Sequence, residues 1–385
     1  MNKQTIVKSF AFGLAFFSLC LEASAQTSLF DFTGKVVDQS GRGIAGVVVN
    51  DGVHFTRTDR QGAWKLSSDT VVSKFVSIST PSAYQLPQHE GLADGFYVSV
   101  GQLVAKGNKH DFTLEKRADA KDSFYYIAIS DPQVRNAAEM KRWRQEAVPD
   151  ICETIDSLKQ SREVVAMTLG DLVFDNMGLY PEYKESVKNT GATFFQCIGN
   201  HDFDLRYQDL HNMEAGTPVY GEINYYGYFG PTDYSFNIGR AHIVTMKNLN
   251  YVSNKKYIEA LTGAQLAWLK KDLSYVPKGS LVILNMHAAS WNKNGKDGNI
   301  RNAAALQEVL KDYNVHVFCG HTHFLQNNEV TPTLYEHNIG AACGAWWAGW
   351  VNQCGAPNGY IVVDVNGDNL KWHYKGTRRD FSYQF

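Results

Sequence analysis

The middle of the chain contains five short apolar runs rich in β-branched and aromatic residues, at positions 124–129, 164–169, 193–198, 281–286 and 315–319. Most are followed directly by polar blocks, which are Asp131-Pro132-Gln133, Gly170-Asp171, Gly199-Asn200-His201-Asp202, His287 and Gly320-His321-Thr322-His323. Short buried runs that end in polar residues are typical of parallel strands in an α/β sheet. Since ligands gather at the carboxyl ends of such strands, the five blocks are predicted to converge on one rim.

The stretches between these runs have helical character. We predict helices over residues 137–160, 181–188, 262–273 and 302–312. Pro149 is expected to kink or divide the first of them, because proline cannot donate the helical hydrogen bond. Residues 233–247, with Gly239 in the turn, are predicted to form a hairpin that carries the chain into a second sheet.

Both flanks of this region have strand character. Residues 28–117 alternate between apolar and polar positions with regular Gly, Asn and Asp turns, which indicates a small β-sandwich. The segment resembles carboxypeptidase-regulatory-like or immunoglobulin-like domains. A charged, helix-prone linker is expected at 115–122. Strands are predicted again at 333–338, 360–364 and 370–375, so residues 329–385 are interpreted as a small C-terminal β domain.

The first 25 residues have the pattern of an export signal. Lys3 and Lys8 precede an apolar stretch at 10–21, and Ala23-Ser24-Ala25 provides a small-residue cleavage site. A membrane anchor is the alternative, but about a dozen apolar residues are too few to span a bilayer. The mature protein is therefore expected to be periplasmic or secreted, without a transmembrane segment.

Charge and cysteine content narrow the function further. The 385 residues carry a net charge of −2 and no long basic run, which argues against nucleic acid as the main partner. Cys197 and Cys319 lie inside apolar runs and are expected to be buried thiols. Cys343 and Cys354 flank one short segment, and whether they form a disulfide stays open.

The residue types of the predicted rim suit a metal centre. Imidazoles bind Zn, Fe, Mn or Ni, and amide oxygens add neutral ligands. Two divalent ions about 3.5–4 Å apart can clamp a phosphoryl group and generate hydroxide near neutral pH. A carboxylate can bridge two such ions, and Asp171 is the natural candidate.

This ordered set of blocks resembles the calcineurin-like metallophosphoesterase family over residues 123–328, most specifically in Gly199–Asp202 and Gly320–His323. The resemblance implies two sheets flanked by helices. It also implies that Asp131, Asp171 and His323 bind a first metal, and that a second is bound by Asp171, Asn200, His287 and His321. His201 would protonate the leaving oxygen, with Asp202 orienting its ring.

The first block departs from the family pattern, since Gln133 stands where a histidine is usual. A subset of the family carries the same Asp-Pro-Gln form, and the amide oxygen of Gln133 is a candidate ligand of the first metal. Asp175 is interpreted as a loop residue or an outer hydrogen-bond acceptor. A rival hypothesis is a weak or inactive surface- or carbohydrate-binding protein that retains the fold.

The segment at 341–360 resembles the C-terminal extension of an exported bacterial subfamily, and it contains three tryptophans. Trp346, Trp347 and Trp350 form either a core plug or an aromatic wall that binds substrate. The predicted activity is metal-dependent hydrolysis of a phosphate monoester or diester by a hydroxide that two metals activate. The expected leaving group is organic: a sugar, a nucleoside or a lipid head group.

Overall fold

The structure, a computed structural model, describes residues 29–204, 219–253, 256–292, 299–380 and 382–383. The predicted export signal at 1–25 lies outside the described residues. Within them, no helix is long and apolar enough to cross a membrane.

The N-terminal region folds into two small sheets, as its alternating pattern predicts. In the longest strand Phe32 and Val36 are buried while Thr33 and Lys35 face solvent. One sheet has the strand order β4-β1-β9 and the other β3-β2-β5-β8. The elements are β1 (Leu29–Asp38), β2 (Val48–Asn50), β3 (Phe55–Arg57), β4 (Ala63–Asp69), β5 (Phe75–Ser79), β6 (Gln88–His89), β7 (Leu92–Ala93), β8 (Tyr97–Ser99), α1 (Val100–Ala105) and β9 (Phe112–Leu114).

The linker at 115–122 is not helical. Its backbone pairs with the preceding domain instead, because Gln85 N–H donates to the Glu115 carbonyl (2.8 Å) and Arg117 N–H donates to the Ala83 carbonyl (2.9 Å). The Arg117 side chain forms an ion pair with Glu163. These tertiary contacts outweigh the local helix propensity of the segment.

Two larger sheets form the core, and all five apolar runs are strands in it. The strands of the two sheets follow the orders β23-β22-β21-β10-β11-β12-β7-β6 and β13-β14-β17-β18-β20-β19. Neighbours β10, β11 and β12 are parallel, as are β14, β17, β18 and β20. The central strands are β10 (Ser123–Ile129), β11 (Val164–Leu169), β12 (Thr193–Cys197), β13 (Tyr234–Ile238), β14 (Ala241–Thr245), β17 (Leu281–Asn285) and β18 (Asn314–Cys319). Strands β15 (Leu249–Ser253) and β16 (Lys256–Glu259) form a separate two-stranded sheet.

Helices flank these sheets near the predicted positions. The helix predicted for 137–160 is divided by a π-helical segment, Trp143–Ala147, and Pro149 lies in the first turn of the helix that follows. Proline is tolerated in the first turn because a backbone N–H at that position would have no partner within the helix. The helices near predicted positions are α2 (Ala137–Arg142), α3 (Val148–Leu158), α4 (Tyr180–Val187), α6 (Gly263–Leu273) and α7 (Ala303–Leu310). Helix α5 (Val219–Phe229) was not predicted.

The C-terminal strands lie within the two core sheets. They are β19 (Gln326–Thr331), β20 (Leu334–Asn338), β21 (Gly359–Asn366), β22 (Asn369–Gly376) and β23 (Ser382–Tyr383). Strand β21 runs antiparallel to β10 along its whole length, from Ser123–Asn366 to Ile129–Tyr360. This pairing satisfies the backbone of β10, which would otherwise be an open sheet edge. These strands form the predicted C-terminal β region, and they extend the two core sheets.

The N-terminal domain shares a hydrophobic core with the larger sheets. Phe96 packs 5.2 Å from Tyr234 and 6.0 Å from Phe195, measured between ring centroids. Cys197, Cys319 and Cys343 are buried and Cys354 is exposed, and all are free thiols. The structure therefore contains no Cys343–Cys354 disulfide, and the two predicted buried thiols are confirmed.

Two histidines are buried between the large sheets, away from the predicted rim. The rings of His316 on β18 and His337 on β20 stack with centroids 5.2 Å apart, and Nδ1 of His316 lies 2.8 Å from Nε2 of His337. Nδ1 of His337 lies 2.6 Å from Oδ1 of Asn327, and Trp372 of β22 packs edge-on against His337. Burial lowers the pKa of His316 to about 4 and lowers the pKa of His337 well below its usual range.

These neutral imidazoles predict acid-sensitive stability. As pH falls from about 6.5 toward 4, the unfolded chain takes up protons that the folded chain rejects, so the free energy of unfolding decreases. Each such imidazole lowers the free energy of unfolding by up to about 1.4 kcal/mol for each unit that the pH falls in this range. Urea denaturation at several pH values, with chelator present, should show a shallower decrease for His316→Gln than for the wild type. An identical pH dependence in the two proteins would contradict this account.

Candidate active site

The carboxyl ends of the central strands meet at one rim, as predicted. Close contacts join the blocks that follow four of these strands: Nε2 of His287 lies 3.3 Å from Oδ1 of Asp171, and Nε2 of His323 lies 3.3 Å from Oδ1 of Asp131. The rim therefore gathers the predicted residues Asp131, Gln133, Asp171, Asn200, His201, His287, His321 and His323.

The Asp131 carboxylate is fully buried at the end of β10. Its Oδ2 accepts hydrogen bonds from the Ser130 hydroxyl and from the backbone N–H of His321 (3.0 Å). Burial alone would raise the pKa of Asp131, but the imidazoles of His323 and His287 outweigh it and hold this pKa below its usual value. The carboxylate is therefore kept ionised.

The Asp171 carboxylate is buried beside it, at the end of β11. Its Oδ1 accepts the backbone N–H of His201 (2.9 Å), and its Oδ2 accepts the Gln133 side-chain N–H (2.6 Å). Burial opposes ionisation here too, yet the neighbouring His287 and His201 lower the pKa of Asp171 far below its usual value. Two ionised carboxylates thus lie together in a buried rim.

His287 is oriented as a metal-ligating imidazole would be. Its Nδ1 lies 2.7 Å from the Leu169 carbonyl and must donate to it, which leaves Nε2 facing Asn200 Oδ1 (3.1 Å) and Asp171. Such outer hydrogen bonds fix the tautomer of metal-bound histidines. Burial opposes its charged form, but Asp171 raises the pKa of His287 to about 10, so a positive charge is favoured at this position.

His321 and His323 complete the imidazole set. His321 lies edge-on to His287 with ring centroids 5.0 Å apart, and its Nε2 is 3.2 Å from Oε1 of Glu259. Nδ1 of His323 is buried and has no hydrogen-bond partner among the residues that the structure describes. A buried nitrogen without a partner is costly in a folded protein.

The backbone of the rim is strained. Five of the predicted metal-site residues have positive φ between 43° and 65°: Asp131, Gln133, Asp171, His321 and His323. Such conformations cost about 1–3 kcal/mol each and cluster at functional sites. A Cβ at Gly199 would lie 2.2 Å from Oδ1 of Asp171, and one at Gly320 would lie 2.4 Å from Oδ2 of Asp131. Glycine is therefore required at both positions.

These residues fit a divalent metal. Potential ligand atoms of Asp171, His287 and His321 lie within 4.8 Å of one another. Carboxylates and imidazoles together suit Zn, Fe, Mn or Ni. A cation here would also neutralise the buried carboxylates and could supply a partner for the His323 ring. The rim is thus a candidate metal site.

Gln133 is at this site, but its amide is turned the other way from the prediction. Its Nε2 faces Oδ2 of Asp171 at 2.6 Å and Oδ1 of Asp131 at 3.5 Å, while its Oε1 lies 3.7 Å from the Cys343 thiol. The amide oxygen thus points away from the two carboxylates. The structure shows Gln133 as a hydrogen-bond donor to Asp171, and its amide must turn over before it can bind a metal through oxygen.

His201 lies beside the metal site and is oriented by Asp175. Its Nδ1 is 3.0 Å from Oδ1 of Asp175, and its ring stacks on Phe174 with centroids 3.6 Å apart. Burial lowers the pKa of His201, but Asp171 and Asp175 outweigh that effect and raise it above its usual value. The interpretation of Asp175 as an outer acceptor fits this contact.

Asp202 does not have the predicted role of orienting the ring. Its buried carboxylate accepts hydrogen bonds from the backbone N–H groups of Gly199 (2.9 Å) and Leu172 (3.1 Å) and from the Tyr180 hydroxyl (3.1 Å). Burial and the nearby Asp171 charge raise the pKa of Asp202 to about 7. Because these donors come from the loop after β11, the loop after β12 and helix α4, Asp202 fixes the three segments to one another.

The three tryptophans separate into different environments. Trp346 is 37% exposed, and its ring centroid lies 5.0 Å from that of His323. Trp347 is buried, with its indole N–H donating to the Pro132 carbonyl (2.8 Å). Trp350 is exposed, and Cζ of the Arg142 guanidinium lies 4.7 Å from the centroid of the Trp350 ring. Of the three, Trp346 contacts His323 of the predicted metal site, and Trp347 belongs to the hydrophobic core.

The hairpin formed by β15 and β16 was not predicted from the sequence. Lys256 and Tyr257 of this hairpin line a cavity of about 200 Å³ together with Asn200, His201, Phe203 and Tyr251. Larger clefts of about 420 and 450 Å³ lie elsewhere and are lined by none of the predicted site residues. The hairpin carries no ligand motif, so no sequence signal identified it.

Three family models match the chain in order. They describe the N terminal of calcineurin-like phosphoesterase (residues 30–117), calcineurin-like phosphoesterase itself (125–325) and the C terminal of calcineurin-like phosphoesterase (336–385). The central model alone matches more than half of the chain. The protein belongs to the calcineurin-like phosphoesterase family, as the sequence blocks indicate.

Several solved structures are distantly similar to this chain. Purple acid phosphatase PPD1 from yellow lupin (Lupinus luteus) is 12% identical over 68% of this chain, which spans about half of that protein (53%), with a TM-score of 0.49. A dimetal phosphatase from Danio rerio is 14% identical over 66% of this chain and 96% of that one (TM-score 0.42). GAP50 of Plasmodium is 13% identical over 68% of this chain and 88% of that one (TM-score 0.46). No curated protein sequence matches significantly. These identities and TM-scores are too low to assign an activity.

The site predicts which carboxylate controls metal binding. Asp171→Asn should weaken the binding of Mn²⁺ or Zn²⁺ by at least about 100-fold, since even partners outside the ligand shell cost 10–100-fold. Asp175→Asn is the matched control, because it makes the same change in a carboxylate that contacts His201. Elemental analysis after dialysis measures both. Equal metal content in wild type and Asp171→Asn would refute the assignment.

Proposed function

We propose that the protein hydrolyses phosphate esters with the help of two divalent cations bound at the rim. The observation that carries this proposal is the pair of buried, ionised carboxylates of Asp131 and Asp171, surrounded by imidazoles and adjacent to an oriented His201. Membership of the calcineurin-like phosphoesterase family supports the reaction class.

The proposed ligands are those that the family pattern implies, and the closeness of Asp171, His287 and His321 supports part of this set. Asp131, Asp171 and His323 would hold one cation, and Asp171, Asn200, His287 and His321 the other. When bound, such cations supply Lewis acidity toward phosphoryl oxygens and lower the pKa of water. Gln133 donates a hydrogen bond to Asp171 and so helps to stabilise the buried carboxylate.

His201 is the proposed proton donor to the leaving oxygen. Asp175 holds Nδ1 and Phe174 holds the plane of the ring, which leaves Nε2 as the proton-carrying atom for the substrate. The imidazole also lines the cavity of about 200 Å³, so a leaving group in that cavity lies within its reach. General acid catalysis requires this kind of fixed geometry.

The role of His201 predicts a leaving-group effect. His201→Ala should lower kcat by about 10²–10⁴-fold for an alkyl phosphate, whose leaving alkoxide needs a proton. The loss should be smaller for 4-nitrophenyl phosphate, whose phenolate leaves without help. Steady-state kinetics on the metal-loaded protein measure both values.

Two controls accompany the kinetic comparison of His201→Ala with the wild type. Bound metal should be unchanged in His201→Ala, which separates loss of the acid from loss of the site. Asp175→Ala should show the same leaving-group dependence with a smaller loss, because it misorients the acid without removing it. An equal loss on both substrates would argue against proton donation by His201.

A further inference from the structure

The cavity beside His201 is small and has aromatic walls. Phe203 and Tyr251 lie with ring centroids 5.7 Å apart, and Tyr257 packs edge-on against His321 at 6.0 Å. The volume of the cavity is about 200 Å³, which is below the roughly 300–1,000 Å³ of pockets that enclose drug-sized ligands. Flat aromatic surfaces favour contact with rings. The space therefore suits a single ring.

The charges at this cavity are already paired except for one. Asp175 contacts the His201 ring, and Glu259, three residues beyond Lys256, contacts His321. The Lys256 side chain is exposed and forms no hydrogen bond or ion pair with a residue that the structure describes. Its ammonium group is therefore available to an anion in the cavity.

Both features belong to the same hairpin. Strands β15 and β16 pair from Leu249–Glu259 to Ser253–Lys256, so Tyr251 and Tyr257 are direct cross-strand partners. The Glu259 contact joins the end of the hairpin to His321 of the metal site. The hairpin thus places a ring-binding wall and a cation at a fixed position relative to the proposed reaction centre.

We propose that the hairpin selects a phosphoester whose leaving group is a single ring bearing an anionic substituent, which Lys256 binds. This inference rests on the proposed function, because His201 marks the leaving-group side of the site. An exposed ion pair is worth roughly a two- to fivefold difference in affinity. The preference for the charged ring should therefore be measurable but modest.

The test compares a charged ring with a neutral one. Binding of 4-carboxyphenylphosphonate and phenylphosphonate, which cannot be hydrolysed, is measured by calorimetry on metal-loaded protein. In parallel, kcat/KM is measured for 4-carboxyphenyl phosphate and phenyl phosphate. We expect the charged-to-neutral ratio to fall two- to fivefold in Lys256→Ala, to fall further in Lys256→Glu and to be retained in Lys256→Arg. Lys35→Ala, at an exposed lysine of β1 outside the cavity, is the matched control and should leave both ratios unchanged.

The two arms separate the two proposals. If the ratio of charged-ring to neutral-ring phosphonate affinity is unchanged in both Lys256→Ala and Lys256→Glu, this inference is overturned, whatever the kcat/KM values are. A binding ratio that responds to Lys256, without turnover of either phosphate, supports the anion contact and overturns the proposed function. A neutral ring that binds more tightly to the wild type also overturns the inference.

Discussion

The structure of the rim depends on one electrostatic constraint, the burial of two ionised carboxylates at the ends of adjacent parallel strands. Burying an ion costs several kcal/mol unless charges and hydrogen bonds compensate it. Asp131 and Asp171 receive that compensation from imidazoles, backbone N–H groups and the Gln133 amide. The same constraint explains why Gly199 and Gly320 must lack side chains, since a Cβ at either position would collide with a carboxylate. The proposed cations would complete the compensation.

The sequence predicts the framework well because the framework is local. Buried strands are visible as apolar runs, and a polar block directly after a parallel strand must lie at its carboxyl end. The metal-site residues were therefore correctly gathered at one rim. The sandwich-like N-terminal domain was predictable for the same reason, since a period of two is encoded in adjacent positions.

The remaining details depend on contacts between distant parts of the chain. His201 is oriented by Asp175, 26 positions earlier, and Gln133 is turned by Cys343, 210 positions later. No local pattern encodes either contact. Asp202 was assigned to the ring because it is adjacent in sequence, whereas the fold directs its carboxylate to two backbone loops. Trp347 is likewise fixed by a carbonyl group 215 positions away.

The hairpin of β15 and β16 illustrates how specificity can be separate from chemistry. Its residues carry no motif, yet Glu259 contacts His321 and Tyr257 packs against the same ring. Loops and hairpins held by a rigid sheet commonly determine what a shared site binds. Family membership supports the proposed reaction class, and this hairpin is where the proposed substrate preference of this chain would reside.

The most direct test of the central claim is anomalous X-ray diffraction from crystals equilibrated with Mn²⁺. The account predicts two anomalous peaks that share the Asp171 carboxylate, one beside Asp131 and His323 and the other beside Asn200, His287 and His321. Absence of manganese at Asp171, or manganese bound only elsewhere on the molecule, would contradict it.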